Sequence, residues 1–346
     1  MMLGDLGADV LKVERPGYGD DTRGWGPPFD ARGMSAYFTS VNRNKISIAA
    51  NLVHDRRLLD ELISDADVVV ENFLPGALRR AGYDSRETLE QHPRLVWCTI
   101  SGFGGDSARP GYDFVVQAES GWMAVTGEPG GDPMKAGVAV ADLLAGRDAA
   151  VGILAALVGR GSGAERRVEI SLMDSARGAL VNVAQNTLVT GSDAGRWGNA
   201  HANLVPYQLF RAGDRPLVIA VGSDSQWDAC ARALGLIGLA DDPALRTNAG
   251  RIADRDRVTS EMQRLLETQP ADHWTAILDG AGVPCGVVKT VLEAVREAAT
   301  ASPVTGMPSS VGGAVRCPPP RLDEHGAAIR ASGWGAFTAL PAPSGE

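Results

Sequence analysis

The sequence predicts an α/β fold, with a Rossmann-like parallel sheet domain followed by a second, smaller α+β domain. Its first half alternates short β-rich runs with amphipathic stretches, which is the pattern of a parallel sheet covered by helices. From about Arg196 the pattern changes to a hairpin and a helix. A chain of 346 residues, 44% of them apolar, can bury the core of one large or two ordinary domains.

The first half contains four predicted strands and two predicted helices. The strands are ADVLKVE (8–14), ISIAANL (46–52), ADVVVEN (66–72) and LVWCTIS (95–101), and the helices are DRRLLDELISDA (55–66) and DSRETLEQHP (84–93). Ligands in such folds bind at the carboxyl ends of the strands. We therefore expect a binding site at ENFLPG and at SGFGGD, which follow the last two strands.

The second half is predicted to leave the large domain and return to it. An extended run changes into an Ala- and Leu-rich helix at Asp142, and a strand and a helix follow in RRVEISLMDSARGALVNVA. RAGDRP reads as a hairpin turn, and a helix begins near Ser225. These patterns predict a large domain at 1–195, a small domain at 196–297 and a return segment at 298–346.

Composition excludes several functions. A net charge of −9 argues against a general nucleic-acid binder. The apolar stretches are too short or too interrupted to cross a bilayer, and a basic-then-apolar leader is lacking, so we expect a cytoplasmic protein. The four cysteines are scattered without metal-ligand spacing, which predicts reduced thiols and no metal.

Familiar nucleotide and hydrolase motifs are missing. The sequence has neither a phosphate-binding P-loop, nor a full dinucleotide fingerprint, nor a G-x-S-x-G elbow. We therefore expect neither a nicotinamide nor a flavin cofactor. Among the histidines, His201 stands out because GNAHANLVPY is a polar loop between the two domains; it could fix that loop or act in catalysis.

Asp142 admits two interpretations from the residues alone. An aspartate between an extended run and a helix is a standard N-cap. A carboxylate at a helix amino terminus is also favoured in its ionised form, which can attack an activated acyl carbon. The two roles are compatible, and physics alone favours the cap.

The order of several blocks resembles the family III CoA-transferases of the CaiB/BaiF type, whose relatives include α-methylacyl-CoA racemases. The blocks are MLGDLGADVLKVERPGYGDDTR, NRNKISIAANL, ADVVVENFLPGALRRAGYD, LVWCTISGFG, YDFVVQAESGWMAVTG, VADLLAG and RWGNAHANLVPY. The resemblance implies that Asp142 is acylated by an acyl-CoA donor and then carries CoA as a thioester to a carboxylic acid acceptor. It implies no ATP requirement.

The resemblance also separates transfer from racemisation. Racemase relatives carry a histidine before an acidic residue where this chain has Tyr112 and Asp113. Tyrosine, with a reference pKa of about 10, is a poor acid/base group at neutral pH, which favours transfer. Three interpretations stay open for Asp113: it orients the neighbouring loop, it contacts substrate, or it is a solvated loop residue. Racemase or epimerase activity remains the first alternative.

Coenzyme A, as the acyl-CoA substrate, is expected on the remaining blocks. Asn72 and Phe73 look like the residues that hold its adenine and pantetheine region, with Pro75, Gly76 and Ala77 allowing close approach. Arg43, Lys45 and Arg80 are candidate phosphate ligands. Gly102 and Gly104 could offer backbone N–H groups to the thioester oxyanion, although strand-end turns also use glycine. Trp25, Trp122 and Met123 could line an acyl pocket or belong to the core.

Members of the family have a strand and a turn before MLGDLGADV, so the first strand of the large domain is expected to be missing here. This feature motivates a second alternative, a catalytically impaired CoA-binding homologue. The resemblance further implies a homodimer in which the two chains interlock.

Overall fold

A computed structural model of the chain describes residues 1–163, 165–298 and 313–339. The chain divides into two compact units. The first comprises residues 1–122, 136–185 and 298–346, and the second comprises residues 123–135 and 186–297. The second unit thus begins ten residues before the boundary expected at 196, and it also takes up the stretch 123–135, which the sequence did not single out.

The helices and strands alternate through the first unit and separate into a sheet and a helical group in the second. The helices are α1 Met2–Asp5, α2 Ala36–Val41, α3 Arg56–Ser64, α4 Ala77–Arg80, α5 Ser85–Gln91, α6 Asp113–Glu119, α7 Trp122–Val125, α8 Val140–Val158, α9 Leu172–Gly178, α10 Val181–Thr190, α11 Asp224–Ala233, α12 Ile237–Ala240, α13 Asn248–Ala253, α14 Arg255–Leu266, α15 Ala271–Gly280, α16 Val291–Ala298 and α17 Gly326–Ser332. The strands are β1 Val10–Glu14, β2 Lys45–Ala49, β3 Val68–Glu71, β4 Val96–Ser101, β5 Arg167–Ser171, β6 Tyr207–Arg211, β7 Pro216–Ala220 and β8 Cys285–Val287. Short 3-10 helices lie at Asp21–Gly24, Pro243–Leu245 and Gly333–Ala339.

The strands of the first unit are parallel, which confirms the α/β prediction. β1 pairs with β2, and β4 lies between β3 and β5. The central strand is apolar on both faces, as expected for a strand covered by helices: Val96, Trp97 and Cys98 are all buried. The carboxyl ends of β3 and β4 therefore meet at one edge of the sheet.

The C-terminal segment of the described chain adds to the first unit. The Asn44 side chain donates to the Ala314 carbonyl (2.7 Å) and accepts from the Cys317 N–H (3.0 Å). Ile329 of α17 is buried in the same core as Ile46 and Ile48 of β2. Side-chain contacts with β2 thus hold a segment almost 300 residues away along the chain.

The second unit contains the predicted hairpin. β6 and β7 are antiparallel and joined at RAGDRP, and β8 adds to the other edge of β7. Ser223 caps α11 by accepting a hydrogen bond from the Gln226 N–H (3.2 Å), which places the start of that helix close to the predicted Ser225. A single buried cluster built around Trp227 and Trp274 fills the space between sheet and helices.

The described residues bear on three expectations: membrane-spanning segments, the state of the cysteines and metal ligands. No described helix is long and apolar enough to span a bilayer. The four cysteines are free thiols, two buried and two partly buried, and burial raises the pKa of each. Within the described ranges, His, Cys, Asp and Glu side chains form no group of three that could hold a metal ion.

Candidate active site

Asp142 lies inside helix α8, in its first turn. The helix begins at Val140 and its N-cap is Ala139, so the prediction that Asp142 itself is the N-cap is wrong. The start of α8 cannot be located within the run VAVADLLAG from sequence, because Val140 and Ala141 suit an extended segment and a helix equally. The Asp142 side chain is exposed, and its carboxylate accepts no hydrogen bond within the described part of the chain.

The start of α8 is capped by Asp113, the first residue of α6. Asp113 Oδ1 accepts from the Ala141 N–H at 2.8 Å and from the Asp142 N–H at 3.4 Å. Its other oxygen accepts from Gln117 Nε2 at 2.6 Å. Asp113 therefore takes over the capping function that the sequence assigned to Asp142, and its carboxylate lies beside the Asp142 backbone.

The surroundings of Asp142 raise the pKa of its carboxyl group, whereas a capping position at a helix amino terminus would lower it. Surrounding protein atoms remove part of the hydration of its carboxylate, although the side chain reaches solvent, and the negative charge of Asp113 adds repulsion. These two effects raise the pKa of Asp142 from 3.8 to about 6. Asp142 is still mainly ionised at neutral pH, but as a more basic carboxylate than a capped one.

Tyr37 of α2 belongs to this site, and sequence reasoning missed it. Burial raises the pKa of its phenol, and the charges of Asp142 and Asp113 raise it further, so the phenol lies within electrostatic range of both carboxylates. Its ring meets Trp25 edge to face at 4.9 Å between centroids. Both rings are about half exposed, at 45%. An aromatic residue in a short helix has no sequence signal that distinguishes such a position from ordinary core.

The glycine turn after β4 supports the start of α6. A Cβ added to Gly102 would lie 2.5 Å from Gly111 Cα, so the two backbones approach as only glycines allow. The Gly104 N–H donates to Ser101 Oγ at 3.1 Å, which engages it inside the turn and argues against its predicted role toward an oxyanion. Tyr112 is 66% exposed immediately before Asp113.

A groove of about 250 Å³ opens at the carboxyl ends of β3 and β4, where the sequence predicted a ligand. Its lining includes Phe73, Gly76, Ser101 and Gly105, together with the indole of Trp97. Asn72 and Ala77 flank these residues along the chain. The buried Nε1 of Trp97 has no hydrogen-bond partner within the described ranges.

Arg80 follows Arg79, one of the residues that line this groove. Its guanidinium folds back toward the turn at Gly76, where an added Cβ would lie 3.3 Å from one terminal nitrogen. Gly76 has a φ of +76°, which explains the glycine at this turn. In the described part of the chain, Arg80 forms no hydrogen bond or ion pair through its side chain, so the cation is available to an anion.

Arg43 and Lys45 have different surroundings. Arg43 is buried and forms a two-pronged ion pair with Asp5, at 3.0 and 2.7 Å. Lys45 donates to Asn42 Oδ1 at 2.9 Å, and burial together with the charge of Lys12 lowers its pKa to about 8. Both residues precede or begin β2, away from the strand ends that form the groove. The geometry therefore argues against direct phosphate contacts by either residue.

The side chains of His201 and Trp122 each form structural contacts with nearby residues. His201 Nδ1 accepts from the Asn203 N–H at 3.0 Å, and its ring contacts Tyr207 at 5.2 Å between centroids. Of its two proposed roles, the loop-fixing one therefore has a direct structural basis. The Trp122 indole donates to the Ala176 carbonyl at 2.8 Å and packs on the core between α6, α8 and α9.

The fold and the site together define an α/β enzyme with a ligand groove at its strand ends and an isolated carboxylate in the first turn of a helix. The chain belongs to CoA-transferase family III, whose model matches residues 1–332. It is accordingly a CoA-transferase, and the family suggested by the ordered sequence blocks is confirmed.

Individual relatives support the same assignment. A protein of Mus musculus named succinyl-CoA:glutarate CoA-transferase is 38% identical over 349 residues, which cover 94% of this chain and 80% of the relative. An Acetobacter aceti protein named acetyl-CoA:oxalate CoA-transferase is also 38% identical, over 95% of this chain and 90% of its own length. The crystal structure of a CaiB/BaiF family protein from Brucella suis superposes with a TM-score of 0.83 at 38% identity, covering 95% of this chain and 93% of that one.

Proposed function

We propose that the protein transfers coenzyme A from an acyl-CoA to a free carboxylic acid through covalent acylation of Asp142. The observation that carries this proposal is a carboxylate that accepts no hydrogen bond within the described ranges and has a pKa of about 6. Such a group is ionised at neutral pH yet more basic than an ordinary aspartate, and its lone pairs are not shared with a donor.

The reaction proceeds by four acyl exchanges. An Asp142 oxygen attacks the thioester carbon, the C–S bond breaks, and CoA leaves as a thiolate from a mixed anhydride. The thiolate attacks the aspartyl carbonyl, which releases the donor acid and leaves an aspartyl-CoA thioester. The acceptor carboxylate displaces the thiolate to form a second anhydride, and the thiolate then attacks the acceptor carbonyl. Asp142 is regenerated, and the thioester energy is conserved throughout.

The surrounding groups suit these steps. Tyr37 is a phenol within electrostatic range of Asp142, and it is protonated at neutral pH, so it can donate a hydrogen bond. Trp25 beside it offers an apolar wall. The names of two relatives pair an acyl-CoA with glutarate or oxalate. We therefore include dicarboxylic acids among the acceptors proposed for this chain.

The groove after β3 and β4 is the proposed CoA site. Phe73 lines it on the β3 side, and Asn72 and Ala77 flank the lining residues along the chain. Arg80, whose guanidinium lies beside the lining residue Gly76, supplies a cation for a phosphate. The turn at residues 101–105 contributes to this groove and touches Gly111, two residues before Asp113. One loop thus connects part of the groove wall to Asp113, which caps the helix that carries Asp142.

Exchange of labelled acids tests the proposal. The protein is incubated with succinyl-CoA and ¹⁴C-labelled glutarate or oxalate, and labelled acyl-CoA is measured. Replacement of Asp142 by Asn should reduce exchange by about 10⁴-fold or more, as removal of a covalent nucleophile does. Asp148→Asn is the matched control, because Asp148 lies on the same helix and Asn still accepts from Ser175 Oγ. Undiminished exchange in the Asp142 variant would refute the mechanism, and α-proton exchange into D₂O without an acceptor would favour the racemase alternative instead.

We also propose that two copies of the chain associate through α8. This helix buries one face, at Ala141, Ala145, Ala149, Ile153 and Ala156, yet large apolar side chains also lie on its exposed side. Leu143, Val151, Leu154 and Val158 repeat at helical spacing and are 41–88% exposed. Large apolar side chains grouped on one exposed side of a helix are normally covered by a partner. The homodimer that the family resemblance implies would supply a second copy to cover them.

The oligomeric state tests this surface. By sedimentation velocity the protein should be a dimer, and Val151→Glu should shift it toward monomer. Val53→Glu is the matched control, because Val53 is 62% exposed in a loop of the same unit. A monomeric wild-type protein, or a Val151 variant that dimerises like wild type, would contradict the proposal.

A further inference from the structure

Gln117 is a fully buried polar residue one turn after Asp113 on α6, with 0% of its surface exposed. Its Nε2 donates to Asp113 Oδ2 at 2.6 Å and reaches the Val138 carbonyl at 3.4 Å. Its Oε1 accepts from the Ala136 N–H at 2.8 Å. One side chain thus joins the capping carboxylate to the segment that leads into α8.

These contacts orient the Asp113 carboxylate. Oδ2 is held by Gln117, while Oδ1 accepts from the N–H groups of Ala141 and Asp142. A carboxylate with both oxygens engaged cannot turn freely about its terminal torsion. The amide of Gln117 cannot flip either, since flipping would set its NH₂ group against the Ala136 N–H.

The Asp142 carboxylate depends on this arrangement in two ways. The N–H donors in the first turn of α8 would otherwise be available to the nearest carboxylate, and a hydrogen-bonded carboxylate is a weaker nucleophile. In addition, the fixed charge of Asp113 repels that of Asp142. The titratable groups whose charges interact with Asp142 are Asp113 on α6 and Tyr37 on α2.

We propose that Gln117 is a positioning residue for the transfer reaction. It holds Asp113 across the start of α8, and Asp113 in turn occupies the helix N–H donors and keeps Asp142 basic and free of hydrogen bonds. This inference rests on the proposed function, since it assigns a role relative to Asp142 as the nucleophile. The simpler alternative is that Gln117 only fastens the segment before α8 to α6 through the Ala136 N–H.

Two substitutions separate these roles. Gln117→Met removes both polar contacts at similar volume. Gln117→Glu keeps an oxygen for the Ala136 N–H, and in its protonated form, favoured by burial next to Asp113, it still donates to Asp113. Once ionised, Glu at this position has no proton to donate and repels Asp113, while the Ala136 contact persists.

The experiment is the pH profile of kcat/KM for both variants and wild type, with KM for acyl-CoA measured separately. Gln117→Met should lower kcat by between about tenfold and 10²-fold, with KM within about twofold, and should move the acid limb to lower pH. Gln117→Glu should have a kcat/KM close to that of wild type at acidic pH, where the introduced carboxyl group is protonated. At alkaline pH its kcat/KM should fall, whereas that of wild type does not. A Glu variant with a wild-type profile would overturn the inference, even if the Met variant failed to fold.

Acylation of Asp142, followed by mass spectrometry of the same samples, separates this inference from the proposed function. If Asp142 is labelled in wild type and at an equal rate in Gln117→Met, the positioning role fails while the transfer mechanism stands. If Asp142 is not labelled in wild type, the mechanism itself fails.

Discussion

Asp113 accepts a hydrogen bond from the backbone N–H of Asp142 at 3.4 Å and from that of Ala141 at 2.8 Å. One aspartate thus caps the helix on which the other resides, 29 positions further along the chain. Carboxylates at a helix amino terminus normally accept hydrogen bonds from the backbone N–H groups. Here Asp113 accepts them, which explains why the Asp142 carboxylate accepts none within the described ranges. Burial and, after it, the negative charge of the neighbouring Asp113 raise the pKa of the proposed nucleophile.

Asp142→Asn should make the folded protein more stable at neutral pH although it abolishes activity. Because folding raises the pKa of Asp142 from 3.8 to about 6, its favourable contribution is complete below about pH 4 and is lost as pH rises through 6. Asn stays neutral and does not suffer this loss. In thermal denaturation, the Tm of Asp142→Asn should exceed that of wild type above pH 6 and equal it near pH 4. The difference should be a few degrees at most, because solvent screens an exposed carboxylate. An advantage equal at all pH values would contradict the electrostatic account.

Asp113→Asn should move the acid limb of kcat/KM to lower pH. The substitution removes the charge that repels Asp142, so Asp142 stays ionised to lower pH. Asn has one acceptor oxygen where Asp113 uses two, so its NH₂ group faces either Gln117 Nε2 or the Ala141 N–H, which should cost about 1 to 3 kcal/mol of stability. The measurement is kcat/KM between pH 4.5 and 8 at a fixed acceptor concentration. An acid limb at the wild-type position would show that Asp113 does not influence the ionisation of Asp142.

Local sequence patterns predicted the parallel strands well. β3 and β4 read as unbroken apolar runs ending in polar and glycine-rich segments, and the groove lies where they end. The helices predicted to begin at Asp84 and near Ser225 start close to those positions, because Asp84 and Ser223 cap them from the same short segment. In these cases the deciding contacts are close in sequence.

The interpretations that the geometry argues against depend on contacts between distant residues. Asp142 looked like a cap because the real cap, Asp113, lies on another helix. Arg43 looked like a phosphate ligand because its buried partner Asp5 is 38 residues earlier. Tyr37 carried no signal at all, since only the assembled fold brings it within range of Asp142. Residue type alone cannot show which charges are already neutralised.

Gly102→Ala should destabilise the protein and lower activity. The new Cβ would lie 2.5 Å from Gly111 Cα, and neither backbone can yield without moving the turn that leads to Asp113. Overpacking of this kind costs about 1 to 3 kcal/mol. Chemical denaturation should show the loss. Gly105→Ala is the matched control for stability, because its Cβ would meet only Glu169 Oε1, at 3.8 Å. Equal stability of the two variants would contradict the close approach.

Arg80→Ala should raise KM for acyl-CoA by about tenfold or more and leave kcat within about twofold, because one charge-assisted hydrogen bond to a phosphate is lost. Arg57→Ala is the control, since Arg57 is an exposed arginine on α3 whose side chain pairs with Glu61. Steady-state kinetics with varied acyl-CoA measures the effect. If KM is unchanged, Arg80 does not bind the cofactor portion of the substrate.

The central claim is that Asp142 becomes covalently acylated, and mass spectrometry tests it most directly. The protein is incubated with succinyl-CoA and quenched with hydroxylamine, which converts an aspartyl anhydride or thioester to a hydroxamate, and the peptides are then sequenced. The account predicts one hydroxamate, on Asp142, that requires acyl-CoA and is missing from Asp142→Asn. Exchange activity with no adduct on Asp142, or with an adduct on another residue, would contradict it.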